Sequence, residues 1–129
     1  MAAPFDGKTI LIVDDDTDIL AAIEAAFQET GAKIVTATDG ASATTLAQEL
    51  NPDLMILDAM LPQRSGFLVL EKVKAKKPRG SKPYVIMITG NTGKRHQAWA
   101  ESLGAEGYIN KPFRMDRLIE SSQALLARG

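Results

Sequence analysis

The apolar positions of the chain fall into short runs separated by longer amphipathic stretches. Thr9-Ile10-Leu11-Ile12-Val13 is the first run, Lys33-Ile34-Val35-Thr36-Ala37 the second and Leu54-Met55-Ile56-Leu57 the third. Tyr84-Val85-Ile86-Met87-Ile88 is the fourth, and Tyr108-Ile109 a weak fifth. Such brief, nearly continuous apolarity, rich in β-branched residues, predicts strands buried on both faces, as in a parallel sheet. The stretches between them have helical spacing. Ile19, Ile23 and Phe27 recur every four residues, Leu20 widens the stripe, and Gly31 follows as a C-cap. Ala41–Leu50 is Ala-rich and stops before Asn51-Pro52, and Phe67, Leu70 and Val73 form the next stripe. Trp99 and Leu103 belong to another, ended by Gly104. Leu118, Leu125 and Leu126 mark the last, with Asp116 in its first turn, where negative charge suits the helix dipole.

Parallel strands need helical crossovers, so five strand–helix units in sequence predict a doubly wound α/β sandwich. A length of 129 residues fits one domain, 1–129, with its core over about 8–127. A chain of this size buries roughly two-thirds of its unfolded surface. The formal net charge of −1 gives no support to a nucleic-acid-binding module, which is usually clearly basic. The basic stretch from Lys72 to Lys82 reads as a helix end running into a surface loop. With no cysteine, disulfides, thiolate metal sites and cysteine nucleophiles are excluded. Neither a signal-peptide core nor an apolar run of membrane-spanning length occurs, so a cytoplasmic protein without membrane insertion is expected.

Ligands of an open parallel sheet bind beyond the carboxyl ends of its strands. After the first strand come Asp14, Asp15, Asp16, Thr17 and Asp18; after the third, Asp58; after the fourth, Thr89 and Gly90; after the fifth, Asn110-Lys111-Pro112. Carboxylates brought together from two strands repel unless a cation sits among them. An oxygen-rich site with open positions suits Mg²⁺, with Mn²⁺ as a substitute. A lysine and a hydroxyl beside it suit a transferred phosphoryl group, since its chemistry is mostly positioning and charge neutralisation. A carboxylate can itself be the nucleophile and form an acyl phosphate. These residues therefore predict Mg²⁺-assisted phosphoryl transfer onto an aspartate. Bland readings stand beside this one. Asp16 or Thr17 caps the first helix, Asp58 alone is a turn former, Lys111 alone is a solvated lysine, and Tyr108 is a core aromatic with a wet hydroxyl. His96 lies on a polar helix face without a catalytic or metal role, and Trp99 reads as packing.

Ile10–Asp16 (ILIVDDD), Pro52–Pro62 (PDLMILDAMLP) with Gly66, Val85–Thr89 (VIMIT) and Gly104–Phe113 (GAEGYINKPF) together resemble the response-regulator receiver family, including its stand-alone chemotaxis regulators. The resemblance runs from about Lys8 to Leu126. It implies a flavodoxin-like sheet of order 2-1-3-4-5. It implies that Asp58 accepts a phosphoryl group from a histidine kinase or phosphotransfer protein, and that Asp15 ligates Mg²⁺ directly, Asp14 mostly through water, and Met60 through its backbone carbonyl. Lys111 would contact the phosphoryl oxygens, Thr89 would move in to hydrogen-bond them with the Gly90 amide nearby, and Tyr108 would turn inward behind Thr89. Met60 and Asn91 occupy positions that tune hydrolysis, and an apolar Met60 implies a long-lived acyl phosphate. Gly90 replaces a frequent alanine, and Gln63 a frequent glycine. Output would be a downstream protein bound at the face of helix 4, strand 5 and helix 5. Such a protein promotes its own phosphorylation and dephosphorylation but is not an enzyme. The chain end at Ala127-Arg128-Gly129, with no linker, leans toward a stand-alone regulator.

Two other classes remain. A phosphatase of the haloacid-dehalogenase type also uses an aspartyl phosphate and Mg²⁺, and Asp14-x-Asp16-Thr17 imitates its motif. That class needs cap insertions and gives Asp58 no role. A pseudo-receiver binding module normally lacks the acids or the lysine, and here all are present.

Overall fold

A computed structural model of the chain describes residues 4–62, 64–78, 80–90 and 94–128. The elements alternate as the apolar pattern predicts: β1 (Thr9–Val13), α1 (Thr17–Gln28), β2 (Lys33–Ala37), α2 (Gly40–Leu50), β3 (Leu54–Asp58), α3 (Gly66–Lys74), β4 (Tyr84–Thr89), α4 (Lys94–Ser102), β5 (Gly107–Asn110) and α5 (Met115–Leu126). All pairings are parallel, in the order β2-β1-β3-β4-β5. Among the described residues no helix is long and apolar enough to cross a membrane.

The strand period of two sorts the apolar residues into two cores. Ile10, Ile12, Leu54, Ile56, Ile86 and Ile88 face one side, with Ile23 and Phe27 of α1 and Leu118 and Leu125 of α5. Leu11, Val13, Met55, Leu57, Val85 and Met87 face the other, with Ala43 and Ala47 of α2, Leu70 and Val73 of α3 and Ala100 of α4. Phe5, ahead of the first apolar run, is buried as well. Its amide donates to the Thr30 carbonyl at 2.9 Å, and its ring stacks on Phe27 with centroids 6.0 Å apart.

Local signals set the boundaries. Asp16 caps α1, its carboxylate accepting from the Asp18 and Ile19 amides. The C-cap of α1 is Glu29; Gly31, two residues later, takes the left-handed conformation at φ 85°. Asp39 caps α2 through the Ser42 amide at 2.8 Å, and those bonds hold its carboxyl below the usual range. β5 is longer than its two apolar residues indicate. Gly107 pairs with Ile86, where a β-carbon would come within 3.0 Å of the Ile86 side chain, and Asn110 pairs with Thr89.

The basic stretch at the end of α3 is not wholly solvated. Lys74 Nζ lies 2.8 Å from Glu106 Oε2 and donates to the Ser81 carbonyl at 3.1 Å, with both charged side chains 9% exposed. Glu106 Oε1 accepts from the Val85 amide at 2.8 Å. This clasp ties the end of α3 to the starts of β4 and β5, at the sheet edge opposite the acidic residues.

Candidate functional site

Strand ends converge at one edge of the sheet. Asp14 directly follows β1, is fully buried, and accepts from the Asp16 amide at 2.9 Å. Asp58 is the last residue of β3 and 3% exposed; its Oδ1 accepts from the Met60 amide at 3.1 Å. Asp15 is exposed beside them, and one carboxylate oxygen from each of the three lies within 4.8 Å of the others. The Lys111 amide donates to the Thr89 carbonyl at 2.7 Å, joining the turn after β5 to the end of β4. From there Lys111 Nζ reaches Asp14 Oδ2 at 3.2 Å and Asp58 Oδ2 at 3.3 Å.

The arrangement is short of positive charge. Three carboxylates face one ammonium, and two of the three are buried. Burial, reinforced by the Asp14 charge, pushes the Asp58 carboxyl up to about 6, although the Met60 amide and Lys111 act the other way. For Lys111, burial favours the neutral amine, but the Asp58 and Asp14 charges outweigh it and raise its pKa. An all-oxygen set that lacks cationic charge fits a hard divalent ion such as Mg²⁺.

A pH dependence follows. The unfolded Asp58 carboxyl titrates near 3.8 and the folded one near 6. Its contribution to stability is therefore complete below the lower value and is lost as pH rises through the higher. Metal-free protein should lose stability between pH ~3.8 and ~6 relative to Asp58→Asn. Urea midpoints of the two proteins across that range test this, and parallel curves would refute it. Saturating Mg²⁺ should reverse the trend, because the ion competes with the proton for the same oxygens.

Of the remaining predicted residues, Thr89 and Gly90 lie at the same edge and Tyr108 sits within β5. Thr89 is buried at the end of β4. A β-carbon at Gly90 would meet nothing within 4 Å, so space lies open beside Thr89. Tyr108, opposite Met87 in the sheet, already has its hydroxyl buried, with no well-formed hydrogen bond among the described residues. Burial raises the Tyr108 pKa, and the nearby Thr89 side chain partly offsets it. The Met60 side chain is 71% exposed, whereas its amide is bound to Asp58. Asn91 and Gln63 lie outside the described residues. His96 sits 5.8 Å, centroid to centroid, from Phe67, and Trp99 stacks on Phe67 at 4.2 Å. Sequence reading missed the contact between the loop after Asp58 and α2. The Arg64 guanidinium donates to Thr44 Oγ1 at 3.3 Å across 20 residues of sequence, and no local pattern signals it.

The sequence profile of the response regulator receiver domain matches residues 10–123. The chain belongs to the response regulator receiver family. It is 34% identical, over 95% of its length, to the probable transcriptional regulatory protein TcrX of Mycobacterium tuberculosis, of which it covers 52%. It thus spans about half the length of that relative. Among solved structures, the CheY-like receiver domain protein of Methanospirillum hungatei superposes with a TM-score of 0.86 at 30% identity, over 94% of both chains. The receiver domain of the sensor histidine kinase PA1611 from Pseudomonas aeruginosa, with magnesium coordinated in its active-site cleft, gives 0.82 at 25% identity, over 94% of this chain and 98% of that one. Receiver domains of this family are phosphoacceptor switches, and the acidic cluster they require is present here.

Proposed function

We propose that Asp58 is the phosphoacceptor and that Asp14, Asp15, Asp58 and the Met60 carbonyl hold Mg²⁺. The observation carrying this reading is the bridge of Lys111 between two buried carboxylates, Asp14 and Asp58, with Asp15 beside them. Bound Mg²⁺ supplies charge neutralisation for phosphoryl oxygens. The magnesium in the PA1611 receiver supports the assignment by similarity. The donor is a phosphohistidine of a kinase or phosphotransfer protein. An Asp58 oxygen attacks phosphorus, the P–N bond breaks, and the imidazole leaves with a proton. Lys111 and the Thr89 hydroxyl then bind the phosphoryl oxygens, with the Gly90 amide close by. An exposed, apolar Met60 cannot orient a hydrolytic water, so the acyl phosphate persists; Asn91 is the other residue that tunes its loss. The chain promotes its own phosphorylation and dephosphorylation, acts in the cytoplasm, and signals through a protein bound by α4, β5 and α5, with Thr89 and Tyr108 as the switch.

Incubation with acetyl phosphate, read by rapid intact-mass spectrometry, tests the core of this reading. A Mg²⁺-dependent gain of one phosphoryl group that disappears in Asp58→Asn is expected. No gain where a control receiver is labelled would overturn the assignment and favour a pseudo-receiver.

A further inference from the structure

Residues 59–62 and 64–65 follow the phosphoacceptor and include the Met60 backbone. Close contacts anchor both segments. Gly66 packs so near the Asp58 carbonyl that a β-carbon there would overlap it, and the Gly66 amide donates to the Ala59 carbonyl at 3.0 Å. The other anchor is on α2. A β-carbon at Gly40 would lie 2.6 Å from the Arg64 carbonyl oxygen and 2.7 Å from Arg64 Cβ, so Arg64 rests directly on the first residue of that helix. Its side chain then reaches along α2 to Thr44, which is 6% exposed. The Thr44 hydroxyl donates to the Gly40 carbonyl at 2.8 Å, leaving its oxygen oriented to accept from Arg64. Arg64, Thr44 and Gly40 form a closed tether between α2 and the loop.

We propose that Arg64 is a positioning residue for the cation site: through Thr44 it locks the loop after β3 and so presents the Met60 carbonyl to the ion. This rests on the metal assignment made above. Arg64 is six residues from Asp58 and touches no carboxylate in the role assigned to it. Its effect runs through the backbone that also supplies the Met60 amide bond to Asp58. Partners that orient a ligand without binding the ion commonly alter affinity tenfold or more. A tether that serves only stability would not change affinity in the folded protein.

Calorimetric titration with MgCl₂ at fixed pH separates these cases. Arg64→Ala should bind Mg²⁺ about tenfold more weakly than the wild type, and Arg64→Lys, which keeps a donor, should recover part of the loss. Thr44→Val removes the acceptor at almost constant volume and should reproduce the Arg64→Ala loss, with the double variant no weaker than either single. Amide hydrogen exchange at Met60 and Gly66 should speed up in both variants without metal. Lys74→Met, which weakens the opposite edge of the sheet, should leave Mg²⁺ affinity unchanged. Wild-type affinity in Arg64→Ala or in Thr44→Val overturns the proposal while leaving the metal site standing. A wild type that takes up no Mg²⁺ overturns the metal assignment itself, and this inference with it.

Discussion

Lys74→Met should destabilise the protein by about 3–5 kcal/mol, the usual cost of leaving one partner of a buried ion pair uncompensated. Lys74 is the cation given to Glu106, and both side chains are 9% exposed. Methionine fills the space of the lysine stem but supplies no charge. Glu106 would keep its bond from the Val85 amide and lose the ammonium, and the Ser81 carbonyl would lose its donor. Urea unfolding should show a lower midpoint at unchanged slope. Lys74→Met combined with Glu106→Gln should recover much of the loss, since no net charge then stays buried. A single variant within about 1 kcal/mol of the wild type would place this pair with surface salt bridges.

Lys111→Met should slow phosphorylation by acetyl phosphate about a hundredfold, the lower range for deleting one preorganised donor that faces developing charge. The same change should tighten Mg²⁺ binding. Lys111 Nζ now occupies the space between Asp14 Oδ2 and Asp58 Oδ2, at 3.2 and 3.3 Å, and competes with a divalent ion for those oxygens. The two readouts move in opposite directions only if Lys111 serves the phosphoryl group and not the metal. Stopped-flow phosphorylation combined with calorimetric Mg²⁺ titration measures both. A variant weaker in both would show that Lys111 mainly holds the two carboxylates in place.

Much of this was legible in the sequence because the chemistry is local to strand ends. The four longer apolar runs marked β1 to β4, and the proposed carboxylates, hydroxyl and lysine end a strand or follow one within two residues. β5 was underestimated, because Gly107 and Asn110 pair through their backbones without an apolar signature. What stayed hidden depends on contacts distant along the chain. Lys74 sits among Lys72, Lys76, Lys77 and Lys82 and looks like one more solvated lysine; its partner is 32 residues away. Phe5 precedes any periodic pattern and is buried only because α1 presents Phe27 to it. Arg64 and Thr44 have no signature until the segment after β3 lies against α2. Tyr108 reads from the sequence as a core aromatic with a wet hydroxyl; it packs against the core under β5, and its hydroxyl is buried.

Among the described residues, α4 buries Ala100 alone of its nine, and its Trp99 remains 48% exposed while lying flat on Phe67. Lateral displacement of such a helix uncovers little apolar area, so few calories oppose it. Under the function proposed above, a phosphoryl group on Asp58 would not have to remodel a core to be felt outside: were α4 to take a second position, a differential affinity of about one or two kcal/mol would be enough to shift its population.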